Sequence, residues 1–279
     1  MKKCYNKQTK ALTFHMERND GMTGLLRLIM NANNLFDYGV CAYSKVEDML
    51  IEYPDKKRIP QSAESVICVV FPTNIDAVFD DPNEVFRLRK VASQMLELTC
   101  IALRKAFDEY SFEWFLDDSP VPEVIAGSLC GLGAVGDSGL LLSPHYGSFC
   151  FIGNIITDLI VPETGDEATY CVHCKKCIVR CPAGALSESG GFDKEKCVKY
   201  AVANASLNPN TFLLRQGAAV KGCNTCREVC PYNSNIGRAN NHPFIKAAMT
   251  PDSIYTSDGG YKPMGGLGQE KFRKLPDEF

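Results

Sequence analysis

The sequence has no long apolar run, and none of its apolar stretches approaches the roughly 18 residues of a membrane-spanning helix. The charged start at residues 1–3 is followed by polar residues, among them His15, Glu17 and Asp20, where a secretory signal would carry an apolar core. We therefore expect no signal peptide, no membrane contact and a cytoplasmic location.

An excess of basic residues is also missing, because 30 Lys and Arg stand against 33 Asp and Glu, for a formal net charge of −3. Proteins that bind nucleic acid usually carry a basic face, so the charge balance argues against such a partner. A local basic patch is still compatible with this net charge. Hydrophobic residues make up 45% of the chain and charged residues 23%, which is ordinary for a globular protein. The unusual feature of the composition is its fourteen cysteines.

The first 165 residues alternate between helical and extended patterns. Residues 65–71 form an unbroken apolar run closed by Pro72, which is typical of a strand buried on both faces. Apolar spacing predicts helices over 22–34, 46–53 and 83–110 and extended segments over 38–42, 112–116 and 149–156. This rhythm predicts an α/β N-terminal domain at residues 1–165, followed by a cysteine-dense module at 166–240 and a C-terminal tail at 241–279.

Eight cysteines lie between residues 171 and 230 in two runs. The first run reads Cys-x2-Cys-x2-Cys-x3-Cys-Pro, and the second reads Cys-x2-Cys-x3-Cys-Pro and lacks one ligand. In bacterial ferredoxins the fourth cysteine of such a run binds the other cluster, and Cys197 can supply the missing ligand. The pattern predicts a bacterial ferredoxin-like α+β module with two [4Fe–4S] clusters, one held by Cys171, Cys174, Cys177 and Cys230 and the other by Cys181, Cys197, Cys223 and Cys226.

Zinc is the alternative metal, since two Cys-x2-Cys pairs also suit a tetrahedral thiolate site. Zinc ribbons do not need the full spacing of the first run, so the clusters are favoured. His173 lies inside that run and is not expected to be a ligand, because the thiolate set is complete without it. The remaining cysteines are expected to be small core residues, with Cys130 as the candidate to face a cofactor; they are Cys4, Cys41, Cys68, Cys100, Cys130 and Cys150.

The order of motifs resembles the epoxyqueuosine reductase family, cobalamin-dependent iron–sulfur enzymes related to reductive dehalogenases. The resemblance covers about residues 35–240. Besides the cysteine runs, it rests on Arg-Ile-Pro-Gln-Ser at 58–62, Asp-Asp-Ser-Pro-Val at 117–121, Gly-Leu-Gly-Ala-Val-Gly at 131–136 and Leu-Leu-Ser-Pro-His-Tyr-Gly at 141–147.

The resemblance implies that a corrinoid lies between the α/β domain and the cluster module. There the nearer cluster reduces cobalt, and an aspartate delivers a proton to the substrate. Asp117 matches that aspartate, and a carboxyl group beside an apolar macrocycle suits a general acid, because burial favours its protonated form. The alternative is that Asp117 or Asp118 caps a helix that begins at Pro120.

The glycine-rich turn of Gly131, Gly133 and Gly136 would let the backbone approach a flat cofactor, and Tyr146 would line the same cofactor. The letters also fit Gly-x-Gly-x-x-Gly, a dinucleotide-binding pattern, and a purely structural turn is the third alternative. Two segments depart from the family pattern: residues 74–84 contain no tyrosine or histidine, and Asp137-Ser138 stand where the family has a lysine.

We therefore expect an iron–sulfur oxidoreductase that passes electrons through two [4Fe–4S] clusters to cobalamin or a substrate in the α/β domain. The alternative is a non-catalytic electron-transfer protein that serves a partner enzyme, for example in corrinoid reactivation. The expected partners are an electron donor such as ferredoxin or flavodoxin, and a partner protein or small-molecule substrate. Because the chain is acidic and ends before the family's C-terminal helical repeats, tRNA is not expected.

Overall fold

The computed structural model describes residues 21–73, 82–117, 119–165, 170–189, 191–199, 223–236 and 242–249. The predicted departure from the family at residues 74–84 lies largely outside them. The helices are α1 at 21–32, α2 at Pro82–Ala106, α3 at Glu123–Leu129, α4 at Lys176–Arg180, α5 at Thr225–Glu228 and α6 at Pro243–Met249. The strands are β1 at Tyr38–Ala42, β2 at Ser65–Pro72, β3 at Phe112–Leu116, β4 at Ala134–Val135, β5 at Leu141–Leu142 and β6 at Cys150–Thr157.

A four-stranded sheet with the order β1-β2-β6-β3 forms the centre of the N-terminal region, and β4 and β5 form a separate two-stranded ladder. All the strand pairings of both sheets are antiparallel. The predicted mixture of helices and a central sheet is confirmed. Strand direction was not predictable from the alternation of helices and strands alone.

The sheet is covered on both faces, as the apolar run in β2 predicts. Ile67 and Val69 belong to the core beneath α1, α2 and α6, whereas Val66 and Cys68 belong to the core beneath α3. Successive side chains of a strand point to opposite faces, so one apolar strand supplies both cores. All eight residues of β2 are buried.

Two predicted segments differ from the structure. Residues 46–53 were expected to be helical but contain only the short 3-10 turn Glu47–Met49, because Pro54 restricts Tyr53 to extended backbone and ends any helix before it. The predicted tail contains α6, which packs against α2 and buries Phe244 and Ile245. None of the described helices has the length and apolar character needed to cross a membrane.

Candidate iron–sulfur and cofactor site

The first predicted cysteine set lines a single cavity. This cavity has a volume of about 440 Å³, and its wall includes Cys171, Cys174, Cys177 and Cys230, together with Cys226. Cys230 is far from the other three cysteines in the sequence, but the fold places it in the same cavity wall. The size and the thiol lining fit a metal cluster.

Two residues with left-handed backbone curl the first cysteine run. His173 and Lys175 have φ values of 49° and 59°, which turn the chain back so that its first three cysteines share the cavity. Helix α4 begins directly after Lys175 and ends before Cys181. Pro182 cannot continue a helix because it has no backbone N–H, so the chain leaves the first cavity at this point.

The second predicted set gathers around Cys226. Burial raises the pKa of the Cys226 thiol, Arg227 opposes this change, and the nearby thiols of Cys223, Cys197 and Cys181 raise the pKa further. The structure thus brings both sets of four together. Their roles as ligands in two crossed clusters remain a prediction.

A backbone N–H group that follows Cys181 in the chain is directed at the Cys181 sulfur. Gly184 has a φ of 58°, a left-handed conformation that glycine adopts at little cost. The backbone N–H of Ala185 donates a hydrogen bond to the Cys181 sulfur at 3.3 Å. Hydrogen bonds to cluster sulfurs tune the reduction potential of a cluster, so this turn is suited to a thiolate ligand.

Asp137 is a site residue that sequence reasoning named only as a departure from the family pattern. Its side chain is 11% exposed and lies in the wall of the first cavity. His173 Nδ1 lies 2.8 Å from Asp137 Oδ1, and Lys175 Nζ lies 3.1 Å from Oδ2. Burial alone would raise the pKa of Asp137, but these two partners hold it below its usual value. The carboxylate therefore anchors the curl of the first run.

Asn233 connects the cluster module to the α/β domain. Its Oδ1 accepts a hydrogen bond from Ser148 N at 2.9 Å, and its Nδ2 donates to Ser148 Oγ at 2.8 Å and to the Arg227 carbonyl at 2.7 Å. A Cβ on Gly147, which has a φ of 54°, would lie 2.1 Å from Asn233 Oδ1. Glycine is thus required where the two regions meet.

Asp117 lies directly after β3, with a left-handed φ of 67°, and its carboxylate forms an ion pair with Arg89 of α2. Helix α3 begins at Glu123, with Pro122 at its N-cap and no capping side chain, so Asp117 does not cap it, and Asp118 lies outside the described residues. An opposite charge stabilises an ionised carboxylate. The role of Asp117 as a proton donor remains a prediction, and in this structure its carboxylate is engaged by Arg89.

Arg89 and Arg227 both lie over aromatic rings of the segment 149–151. The guanidinium carbon of Arg89 is 5.2 Å from the centre of the Phe151 ring, and that of Arg227 is 5.8 Å from the centre of the Phe149 ring. Such contacts stabilise a cation beside an apolar surface. Arg89 thus contacts both the Phe151 ring and the Asp117 carboxylate.

Lys199 joins these two arginines. Burial lowers the pKa of Lys199 to about 8, repulsion from Arg227 and Arg89 lowers it as well, and the thiols of Cys226 and Cys197 oppose them. Lys199 is nevertheless solvent-exposed. Its amino group donates a hydrogen bond to Asn224 Oδ1 at 3.3 Å. We call Arg89, Lys199 and Arg227 the cationic recess; it borders the second cysteine set.

The glycine-rich turn makes its closest contacts within the protein. A Cβ on Gly133 would lie 2.4 Å from the carbonyl oxygen of Leu142 in β5, and a Cβ on Gly165 would lie 2.4 Å from Gly131 Cα. Gly136 instead lines the first cavity. A structural role for Gly131 and Gly133 is thus evident, and their cofactor contact remains a prediction.

Tyr146 belongs to a separate polar group at the edge of the sheet. Its hydroxyl donates a hydrogen bond to the Asp37 carboxylate, and its ring packs edge-on against His242, with 5.8 Å between ring centres. Burial raises the pKa of Tyr146, and the hydrogen bond to Asp37 raises it further. Cofactor contact by this neutral phenol remains a prediction.

The scattered cysteines of the α/β domain are core residues, as predicted. Burial raises the pKa of Cys100 and of Cys150 to about 12, so both are neutral thiols. Cys130 is 2% exposed and lies against Cys41 and Cys68, so the candidate role of Cys130 at a cofactor surface is wrong. Cys4 lies outside the described residues. The buried cysteines are Cys41, Cys68, Cys100, Cys130 and Cys150.

Comparison with known proteins matches residues 170–233 to the family described as the 4Fe-4S double cluster binding domain. An epoxyqueuosine reductase from Lactococcus garvieae is 29% identical over 170 residues, which cover 61% of this chain and 46% of that protein. This chain spans about half the length of the curated relatives it matches.

Two solved structures share the fold. One is an epoxyqueuosine reductase with a tRNA-TYR epoxyqueuosine-modified tRNA stem loop, with a TM-score of 0.66 and 18% identity over 81% of this chain and 69% of that one. The other is a reductive dehalogenase whose structure suggests a mechanism for B12-dependent dehalogenation, with a TM-score of 0.54 and 17% identity over 77% of this chain and 32% of that one. The predicted resemblance is therefore confirmed: the chain is similar to epoxyqueuosine reductases over more than half of its length, and its residues 170–233 match a double [4Fe–4S] cluster binding domain.

Proposed function

We propose that this protein is an iron–sulfur reductase that moves electrons one at a time through two [4Fe–4S] clusters to an acceptor in the cationic recess. The observation that carries the proposal is the gathering of eight cysteines, separated in sequence, into two neighbouring sets of four. We divide the chain, as the sequence suggests, into an α/β domain at 1–165, a cluster module at 166–240 and a C-terminal segment.

The order of electron transfer follows from the positions of the two sets. Cys174 of the first set is exposed to solvent, so electrons would enter there. Cys226 and Cys197 of the second set adjoin Lys199 and hence the recess. Electrons would therefore pass from the first cluster to the second, and from the second to the acceptor beside Asp117.

A corrinoid is the acceptor that we propose for the recess. The three neighbouring cations and the aromatic rings beneath Arg89 and Arg227 suit a flat group with a negatively charged tail. When bound, a corrinoid would supply a metal centre that takes electrons singly and passes them to a substrate. Gly136 and Tyr146, which the resemblance assigns to cofactor binding, are further candidates to contact it.

Asp117 is the proposed general acid. A carboxyl group positioned at the reacting atom typically accelerates a reaction by about 100- to 10,000-fold. In the described structure the Asp117 carboxylate is ion-paired with Arg89. We propose that an arriving anionic group competes for Arg89 and releases Asp117, so that protonation accompanies substrate binding.

The expectation that tRNA is not a partner conflicts with the related structure that contains a tRNA stem loop. Net charge averages over the whole chain and says nothing about the charge of one surface. We therefore propose epoxyqueuosine in tRNA as one substrate candidate, beside a small molecule.

The test is anaerobic purification with added cobalamin, followed by a visible spectrum of the reconstituted protein. We expect corrinoid bands beside the brown absorption of the clusters, and a lower yield of bound corrinoid in an Arg227→Ala variant. Absence of corrinoid at saturating cobalamin, with both clusters present, would overturn the reductase proposal. That result would favour the non-catalytic electron carrier.

A further inference from the structure

The cluster module presents an exposed patch around Cys174, which consists of Val172, Lys176, Val179 and Arg180 and is called here the entry patch. Val179 and Val172 are 77% and 72% exposed, the highest values for large apolar side chains among the described residues. Strongly exposed aliphatic side chains near a redox ligand are candidates for a contact surface. The four residues lie within six positions of Cys174 in the sequence, and Val172 and Cys174 share the wall of the first cavity.

The charge of the entry patch is opposite to that of the chain. Residues 170–187 contain three cationic side chains and no aspartate or glutamate, whereas the whole chain has a net charge of −3. Lys175 is paired with Asp137. Lys176 and Arg180 are exposed and have no ion-pair partner in the part of the chain that the structure describes.

We propose that the entry patch docks a small electron-carrier protein with an acidic surface, which delivers single electrons to the first cluster beside Cys174. The proposal rests on the proposed function, because it presumes that the cysteines hold redox clusters. Complementary charge accelerates encounter and sets orientation. A small apolar centre with a basic rim suits the brief contact of an electron-transfer pair, whose interfaces are small.

A solvated charged face is the ordinary explanation of exposed lysine and arginine, and RNA is another anionic partner. The apolar part of the entry patch argues for a protein, because surfaces that bind single-stranded RNA place aromatic rings, not valines, among their basic residues. The position next to Cys174 in the sequence also suits electron entry and gives no advantage to RNA binding.

The test measures how fast a reduced, acidic plant-type ferredoxin reduces the fully reconstituted protein, by anaerobic stopped flow. Lys176→Glu with Arg180→Glu should lower the second-order rate by about 10- to 100-fold at low ionic strength, and high salt should remove most of the difference. The matched control is Lys57→Glu with Lys105→Glu, which changes net charge equally on exposed residues of the α/β domain. The control should retain most of the rate.

Iron content and reduction by dithionite should be the same in all three proteins. Loss of either in the native protein would reject the proposed function itself, independently of the patch. An unchanged ferredoxin rate in the patch variant, or an equal loss in the control, would overturn the docking proposal. Loss of RNA-oligonucleotide binding in the patch variant with an unchanged ferredoxin rate would also overturn it and assign the patch to RNA.

Discussion

The α/β domain and the cluster module both contain many cysteines, but the two regions use them in opposite ways. In the α/β domain the cysteines Cys41, Cys68 and Cys100 are fully buried. Burial raises the pKa of the Cys68 and Cys100 thiols, and the pKa of Cys41 is raised first by the hydrogen bond that its thiol donates to Cys130 and then by burial. In the module the cysteines are mostly accessible and face cavities or one another. Environment, not residue type, thus separates a packing thiol from a metal ligand.

Matched substitutions in the two regions should give the largest contrast. Cys197→Ser should lower the iron of the reconstituted protein from about eight to about four per chain, because one cluster loses a ligand. Cys100→Ala should leave iron at about eight and cost about 1–2 kcal/mol of stability, because it only removes a buried sulfur. Iron analysis and thermal unfolding check both predictions. An iron content of about eight per chain in Cys197→Ser would contradict the contrast between the two regions.

The same contrast applies to the acidic residues of the α/β domain. Asp117→Asn should lower reductase turnover by about 100- to 10,000-fold and leave both clusters intact, since an amide cannot donate the proton of a carboxylic acid. Asp55 is also paired with an arginine, Arg58, at 3.2 Å, so Asp55→Asn is its control and should retain turnover. Equal activities of the two variants would remove Asp117 from the mechanism.

Asn233 tests how firmly the two regions are joined. Asn233→Ala removes three hydrogen bonds and leaves the Ser148 N–H without its partner, which should cost about 1–3 kcal/mol. The apparent melting temperature should fall and electron transfer to the recess should slow, while the iron content stays near that of the native protein. An unchanged melting temperature would show that the two regions are held together by other contacts.

The smallest expected effect concerns pH. Burial lowers the pKa of His242, with Asp37 opposing the change, so the folded protein keeps this ring neutral at a pH where the unfolded chain protonates it. Stability should therefore fall as pH drops below about 6.5. His242→Gln should remove this part of the pH dependence, as measured by thermal unfolding at two pH values, whereas His145→Gln should retain it.

The sequence was sufficient to predict which cysteines lie near one another and to predict the buried central strand, because spacing and apolar runs are local features. It did not reveal the ion pair of Arg89 with Asp117 or the group around Asp37, since these side chains meet only after the sheet and α2 have packed. Asn233, two residues after Cys230-Pro231, carried no signal beyond its position near the second run. The short turn at Glu47–Met49 was missed because tertiary context outweighs helical spacing over so few residues.

The most direct test of the account is the iron and acid-labile sulfide content of anaerobically reconstituted native protein, measured with its visible spectrum. Two [4Fe–4S] clusters predict about eight irons and about eight sulfides per chain and a brown chromophore. About four irons or fewer, or bound zinc in a colourless protein, would contradict it.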